Sequence, residues 1–181
     1  MGHVFLVGFM GAGKTTVGPL VAARLGRRWV DMDALLEARF GRPIAAFFQA
    51  EGEAAFRREE KALLFRLTDE RTPLVVSTGG GVVVDPENRA RMRAAGTVVF
   101  LYAPLSAIRE RVGADPARPL LAGGEAAVRA LFRRRFALYR AAAHCAISTA
   151  RFSPEAAAAR IAAYVRRREG GHAGMPDGTQ S

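Results

Sequence analysis

A chain of 181 residues, half of them hydrophobic, has the size and apolar content of one globular domain, and this excludes a disordered protein. The net charge of +10 comes from arginines scattered along the chain, so we expect anionic small molecules as partners and no nucleic acid. No apolar stretch approaches the roughly 18 residues of a membrane span, and Cys145 is the single cysteine, so we expect a cytoplasmic monomer without disulfide, membrane contact or signal peptide.

The first predicted elements enclose a phosphate-binding loop. Residues 4–7 form an apolar run of strand length, and residues 16–25 repeat apolar side chains at helical spacing. Between them, residues 8–15 read Gly-Phe-Met-Gly-Ala-Gly-Lys-Thr and match the P-loop pattern G-x-x-x-x-G-K-[ST]. Backbone N–H groups and the helix N-terminus bind phosphate oxygens in such a loop. We therefore expect Lys14 to reach the β- and γ-phosphates and Thr15 to offer its hydroxyl to Mg²⁺.

The next predicted strand, residues 29–33, is short and ends in two acidic residues. Asp31 and Asp33 lie where ligands bind in an open α/β sheet, beyond the carboxyl end of a strand. One carboxylate could hold a metal-bound water and the other a substrate hydroxyl. The alternative is that Asp33 only caps the predicted helix over residues 34–40, because Asp is a favoured N-cap residue.

Two further helices are predicted over residues 44–50 and 53–69. Arg57 lies at the edge of the apolar face of the second one. Glu53 and Glu60 are four and three residues away, so Arg57 could form an ion pair with either of them. The functional alternative is that its guanidinium binds a substrate carboxylate in fork geometry.

A buried strand over residues 73–78 leads into three consecutive glycines, Gly79, Gly80 and Gly81. Their lack of side chains lets a ligand approach the backbone closely. A flexible turn is the alternative, although a turn needs only one or two glycines.

The remaining chain continues the alternation of strands and helices. Residues 113–124 carry Gly and Pro at both ends and one cation, Arg118, and we expect them to form a mobile lid. The pattern as a whole predicts an α/β fold of three layers, α/β/α, with a five-stranded parallel sheet, in a single P-loop domain over residues 1–169. The other predicted segments are a helix over 86–95, a strand over 97–102, helices over 104–112 and 125–143, a strand over 145–148, a helix over 154–168 and a disordered tail over 170–181.

Taken in order, these landmarks resemble the shikimate kinase family, whose fold is of the nucleoside-monophosphate-kinase type. The resemblance covers residues 3 to about 165. It rests on the P-loop, Asp31-x-Asp33, Gly52-Glu53-x-x-Phe56-Arg57, Gly79-Gly80-Gly81, Arg118-Pro119-Leu120-Leu121 and Arg135-x-x-Leu138-Tyr139.

The resemblance implies transfer of the γ-phosphoryl group of ATP to the 3-hydroxyl of shikimate, a step toward chorismate and the aromatic amino acids. It implies catalytic roles for Lys14, Asp33 and Arg118, and a Mg²⁺ held by Thr15 and, through water, by Asp31. Shikimate would be bound by Asp33, Arg57, Gly79, Gly80, Gly81 and Arg135. ATP would be bound by Gly11, Ala12, Gly13, Lys14, Thr15, Thr16, Arg111, Arg118, Arg151 and Phe152.

The sequence departs from the family pattern near the predicted adenine site. The chain has Arg151-Phe152 where an arginine or glutamine is usual, and either side chain could contact the base. Ser148-Thr149 stands where Asp-Thr is common, and Phe136-Ala137 where proline is usual.

Three other functions compete with this interpretation. A kinase for gluconate or a nucleotide would share the P-loop and the lid, but would not need Asp33, Arg57 and Arg135 to meet at one small acid. A P-loop module without catalysis would not need Lys14 and Arg118. A basic nucleic-acid-binding protein would show strongly salt-dependent affinity.

Overall fold

A parallel sheet organises the chain. The computed structural model describes residues 1–112 and 124–171, so residues 113–123 of the predicted lid, with Arg118, and residues 172–181 of the predicted tail lie outside the described residues. The strands are β1 (His3–Val7), β2 (Arg28–Asp31), β3 (Leu74–Ser77), β4 (Gly96–Tyr102) and β5 (Cys145–Ser148). The helices are α1 (Lys14–Leu25), α2 (Met32–Phe40), α3 (Ile44–Thr68), α4 (Pro86–Ala95), α5 (Leu105–Val112), α6 (Gly124–Ala142) and α7 (Pro154–Gly170), with a 3-10 turn at Val82–Val84.

The five strands are all parallel and lie in the order β2-β3-β1-β4-β5, which confirms the predicted fold class. Strand β1 is central, and all five of its residues are buried because helices cover both faces of the sheet. The P-loop therefore leaves the middle of the sheet at its carboxyl edge, where ligands bind in this class of fold.

Alternate residues of the strands supply two separate apolar cores. Val4 and Leu6 face a core shared with α1 and α7, whereas Phe5 and Val7 face a core shared with α3, α4 and α6. Sequence-based boundaries agree with the structure to within a few residues. The differences reach two residues: α1 begins at Lys14 rather than at residue 16, because the P-loop leads directly into the helix, α2 begins at Met32 rather than at residue 34, and α7 ends at Gly170 rather than at residue 168.

Helix α3 is broken where the sequence predicts separate helices. Gly52 has φ 81° and ψ 167°, a conformation that other residues avoid, and the helical path resumes after it. The two parts predicted over residues 44–50 and 53–69 are thus confirmed as segments of one bent element. The bend places the second part, with Arg57, beside the end of β3.

None of the helices in residues 1–112 and 124–171 has both the length and the apolar character needed to cross a bilayer.

Candidate active site

Two glycines with positive φ shape the P-loop. Gly11 and Gly13 have φ values of 70° and 92°, which curl the backbone between β1 and α1. The Lys14 ammonium lies over the loop and donates hydrogen bonds to the carbonyl oxygens of Gly8, at 2.9 Å, and Phe9, at 3.2 Å. A cation is therefore held at the place where the motif predicts phosphates.

Asp31 has two functions, one for each carboxylate oxygen. Oδ2 accepts a hydrogen bond from the Thr15 hydroxyl at 3.0 Å, so the two predicted metal-site residues are in contact. Oδ1 accepts from the backbone N–H groups of Asp33, at 3.0 Å, and Ala34, at 3.4 Å. Asp31 is thus the N-cap of α2. These oxygen donors fit the preference of Mg²⁺, which usually binds few protein groups together with phosphates and water.

The cap on α2 overturns one sequence-based alternative. Asp33 is not the N-cap, because Asp31 holds that position and Asp33 lies in the first helical turn. The Asp33 carboxylate therefore has no capping role. Its pKa is raised above the ordinary value, chiefly by burial, with the charge of Asp31 acting in the same direction and Lys14 opposing. A buried carboxylate beside the P-loop lysine can accept a hydroxyl hydrogen bond.

The glycine run after β3 forms a wall of bare backbone. A Cβ on Gly79 would fall 2.4 Å from Glu60 Oε1 and 3.0 Å from Asp33 Oδ1. A Cβ on Gly81 would fall 2.3 to 2.4 Å from three atoms of the Arg57 guanidinium, which therefore lies flat against the backbone. This close approach by charged groups, rather than flexibility, explains why consecutive glycines occur there.

Arg57 makes both of the ion pairs that the sequence allows. Nη1 donates to Glu60 Oε2 at 2.7 Å, while Nε and Nη2 both donate to Glu53 Oε1, at 3.2 and 3.0 Å. Although burial opposes the charge, Glu60 and Glu53 hold the pKa of Arg57 above its ordinary value. The ion pairs do not remove Arg57 from the pocket, because its guanidinium remains against Gly81.

Glu60 is a site residue that the sequence analysis considered only as an ion-pair partner. Its side chain is 1% exposed, and Oε1 has no hydrogen-bond partner among the described residues. Burial raises its pKa, and Arg57 opposes this. The sequence does not indicate that Glu60 is buried, because it follows another glutamate in a charged helix. Its burial depends on contact with Gly79, which is distant in sequence.

Helix α6 places a second arginine, Arg135, against the same glycine run. Arg135 is 7% exposed, its Nη1 lies 3.8 Å from the position of a Cβ on Gly80, and its Nε has no hydrogen-bond partner in the described chain. Burial lowers its pKa. Tyr139, one turn later, donates a hydrogen bond to the Gly80 carbonyl and fixes the wall to α6. Asp33, Arg57 and Arg135 thus all lie against the glycine run, and together they line the candidate pocket for the acceptor.

On the other side of the P-loop, Arg111 connects the loop to the end of β5. Nη1 donates to the Thr149 hydroxyl at 2.9 Å and to the Gly11 carbonyl at 3.3 Å. The Thr149 hydroxyl in turn donates to the Ala12 carbonyl at 2.9 Å. Arg111 is exposed and touches the P-loop, as a nucleotide contact requires.

The two candidates for the adenine contact differ in their surroundings. Phe152 lines a cavity of about 610 Å³ between β5 and α7. Arg160 covers one face of the Phe152 ring, with its guanidinium carbon 4.2 Å from the ring centroid. The Arg151 side chain is exposed, and its backbone N–H binds the Ser148 hydroxyl at 3.2 Å. These surroundings favour Arg151 over Phe152.

Fold and pocket together define a P-loop kinase of the nucleoside-monophosphate-kinase type that acts on a small molecule. A model of the family described as shikimate kinase matches residues 10–166. The chain belongs to the shikimate kinase family, and it is an ATP-dependent kinase.

Individual relatives agree with this assignment. The shikimate kinase of Aromatoleum aromaticum is 48% identical over 153 residues, which cover 83% of this chain and 87% of the relative. The structure of shikimate kinase from Acinetobacter baumannii in complex with shikimate has a TM-score of 0.87 and 38% identity, and the match covers 93% of this chain and 95% of that one. A gluconokinase from Sinorhizobium meliloti reaches a TM-score of 0.52 at 20% identity over 92% of this chain and 97% of that one, and so shares the fold alone.

Proposed function

We propose that the pocket between Asp33, Arg57, Arg135 and the glycine run binds shikimate and presents its 3-hydroxyl to ATP on the P-loop. The chain is a kinase that transfers the γ-phosphoryl group of ATP to the 3-hydroxyl of shikimate, in the pathway to chorismate and the aromatic amino acids. The observation that carries the placement of shikimate is the convergence of two buried or half-buried arginines on the Gly80–Gly81 backbone.

The two arginines fit the carboxylate of the acceptor. A carboxylate that leaves water needs cations that also donate hydrogen bonds, and a planar guanidinium provides both. Arg57 and Arg135 come from different helices, so they can approach the group from two sides. The unpartnered Nε of Arg135 is a donor available to such a ligand.

Asp33 is proposed to orient the reacting hydroxyl. Phosphoryl transfer depends on in-line positioning and on neutralising the charge of the transferring group. Asp33 accepts the hydroxyl proton or its hydrogen bond, while Lys14 exchanges its contacts with Gly8 and Phe9 for phosphate oxygens. Arg118 supplies a further cation to the transferring phosphoryl group.

The nucleotide side includes a metal ion, which we propose to be a single Mg²⁺ held by Thr15 and, through water, by Asp31. The ion neutralises charge on the β- and γ-phosphates. Gly11, Ala12, Gly13 and Thr16 offer backbone or hydroxyl groups to the phosphates, and Arg111 and Arg151 lie toward the base. Phe152, which lines the cavity beside α7, is the alternative candidate for the contact with the base.

We further propose one kinase domain over residues 1–169, with a lid at 113–124, acting as a cytoplasmic monomer without a nucleic-acid or membrane partner. Several arginines outside the pocket form ion pairs with acidic side chains, as Arg27, Arg39, Arg42 and Arg91 do, which supports a structural origin for part of the positive charge.

The acceptor site is tested by removing its arginines. Arg57→Ala and Arg135→Ala should each raise the KM for shikimate by about tenfold or more, with little change in the KM for ATP, because an unpaired carboxylate is costly to bury. Arg57→Lys should not restore binding, since an ammonium presents no planar fork. Steady-state ADP release with each substrate varied gives the two KM values.

Arg42→Ala is the matched control, because Arg42 also pairs with a glutamate of α3 but lies outside the pocket. It should leave both KM values unchanged. A rise in the KM for ATP with an unchanged KM for shikimate in the Arg57 and Arg135 variants would move these residues to the nucleotide site and refute the proposal.

A further inference from the structure

Glu53 is hydrogen-bonded to the two Arg57 nitrogens that a substrate carboxylate would use. Nε and Nη2 of a guanidinium form its side-on fork, and both donate to Glu53 Oε1, at 3.2 and 3.0 Å. Nη1 is bound to Glu60, and one face of the guanidinium is packed against Gly81. A carboxylate of the protein itself is therefore bound where we place the carboxylate of the acceptor.

The two glutamates that hold Arg57 are not equivalent. Glu60 is 1% exposed and cannot leave without opening the core, whereas Glu53 is 65% exposed. Only one oxygen of Glu53 accepts the two hydrogen bonds. Glu60 is thus a fixed ion-pair partner of Arg57, whereas Glu53 is a partner that a ligand can replace.

The electrostatic surroundings reinforce this difference. Burial lowers the pKa of Arg135, and Glu53 is among the charges that oppose this effect, so Glu53 acts on both arginines of the pocket. A substrate carboxylate added beside Glu53 and Glu60 would put three negative charges around one guanidinium. Like charges at this range repel, so one of them has to move.

Glu53 has a second favourable position. Gly52 breaks α3, and Glu53 therefore begins a new helical segment. A carboxylate at a helix N-terminus is stabilised by the helix dipole and by unpaired N–H groups. A small rotation about the side-chain bonds of Glu53 would move it from Arg57 to this terminus without changing the backbone.

We propose that Glu53 is an internal surrogate for the substrate carboxylate, bound to Arg57 in the empty enzyme and displaced when the acceptor binds. This inference rests on the proposed role of Arg57 in binding shikimate. The surrogate shields the guanidinium pair while the pocket is empty, and its displacement weakens the net affinity for the acceptor.

The test uses the full-length enzyme and the variant Glu53→Gln. If Glu53 competes with the substrate, its neutralisation should lower the KM and the Kd for shikimate by about two- to fivefold, the size expected for a partly exposed ion pair. Glu51→Gln is the matched control, since Glu51 lies two residues before Glu53, pairs with Arg42 instead of Arg57, and should not alter either constant. Steady-state kinetics and calorimetric titration measure the two constants.

The methyl ester of shikimate provides a second measurement. It lacks the charge that would displace Glu53, so its Kd should not improve in Glu53→Gln. A KM for shikimate that is unchanged or raised in Glu53→Gln would overturn the proposal, as would an equal improvement for the ester. If Arg57→Ala also left the KM for shikimate unchanged, the proposed acceptor site itself would be wrong, which separates the two failures.

Discussion

Asp33 is a carboxyl group whose environment resists its charge. Burial raises its pKa above the ordinary value, whereas the proposed role in orienting the acceptor hydroxyl requires the charged form. We expect Asp33→Asn to lower kcat on the order of 100-fold or more, because the amide still binds a hydroxyl but cannot draw on its proton. The change should appear in kcat more than in the KM for shikimate, measured by coupled ADP release.

The pH profile provides a check on this assignment. As pH falls, Asp33 takes up a proton and loses its acceptor role, so kcat/KM should fall below a pH that is higher than the ordinary carboxyl pKa. The residual activity of Asp33→Asn should lack this acidic limb. If the limb persisted in Asp33→Asn but disappeared in Glu60→Gln, the titrating group would be Glu60.

At the scale of single residues, the sequence predicts which side chains are functional better than it predicts what those side chains contact. The spacing of Asp31 and Asp33 indicated two roles at the end of β2, but only the structure shows that the cap belongs to Asp31. Glu60 and Tyr139 could not be assigned functions in the pocket, because these depend on Gly79 and Gly80, which are close in space and distant in the chain. Local periodicity carries no information about such contacts.

At the scale of single elements, the course of α3 depends on Gly52. Gly52→Ala should reduce the free energy of unfolding by about 1–3 kcal/mol, because φ 81° with ψ 167° is open almost only to glycine. It should also raise the KM for shikimate, since the segment that follows carries Arg57. Urea unfolding and steady-state kinetics measure the two effects.

Gly170→Ala is the control for that experiment. Gly170 is in α7, no heavy atom lies within 4 Å of the position that its Cβ would take, and no positive φ is required. The variant should be as stable as the parent or slightly more so, with unchanged KM values. Equal destabilisation by both substitutions would contradict the special role of the α3 bend.

The attachment of β5 to the sheet should depend on pH. His144 adds two hydrogen bonds between β4 and the residue before β5. Its backbone N–H donates to the Val98 carbonyl at 2.8 Å, and its ring Nδ1 accepts from the Val98 backbone N–H at 3.0 Å. A protonated ring cannot accept this bond. Burial, with Arg168 and Arg93, lowers the pKa of His144 from 6.5 to about 4.

A depressed histidine pKa means that the unfolded chain takes up the proton first. The contribution of His144 to stability is therefore complete above pH 6.5 and is lost progressively as pH falls toward 4. In His144→Asn the side-chain oxygen can still accept from Val98 and does not titrate. The variant should lose less thermal stability than the parent between neutral and acidic pH, measured by calorimetry; equal losses would contradict the assignment.

At the scale of the whole molecule, an ion pair between Arg27 and Glu169 connects the two ends of the described chain, because both side chains also bind Gly2. Arg27, after α1, binds both carboxylate oxygens of Glu169 at 2.8 and 2.7 Å and donates to the Gly2 carbonyl at 3.0 Å. Glu169 also accepts from the Gly2 N–H at 3.1 Å. The Arg27 side chain is 6% exposed, so the pair is largely shielded from water.

We expect Glu169→Gln to lower the free energy of unfolding by about 2 kcal/mol or more, because it leaves a buried guanidinium without its counter-charge. Glu51→Gln, which breaks an exposed pair, should cost less than about 1 kcal/mol. Both variants should retain parental kinetics below the unfolding transition. An effect of Glu169→Gln no larger than that of Glu51→Gln would show that the pair is as weak as a surface one.

The overall architecture was accessible from the sequence for a physical reason. Strands buried on both faces appear as continuous apolar runs, and the helices between them follow the 3.6-residue period, so alternation alone predicts a parallel sheet. The strand order β2-β3-β1-β4-β5 depends on how those units pack, which no local pattern encodes. The Arg27–Glu169 pair could not be predicted for the same reason.

The bare backbone at Gly79–Gly81 has a consequence for inhibitor design. Drug resistance commonly arises when a side chain lining a pocket is exchanged for a larger one, but here an added Cβ would collide with Glu60 Oε1 at 2.4 Å or with Arg57 Nη1 at 2.3 Å. Such a mutant would displace Arg57, which we propose to bind the acceptor, or Glu60, which holds Arg57 in place. A compound that draws its affinity from close packing against Gly79 and Gly81 would therefore leave the target few viable escape mutations.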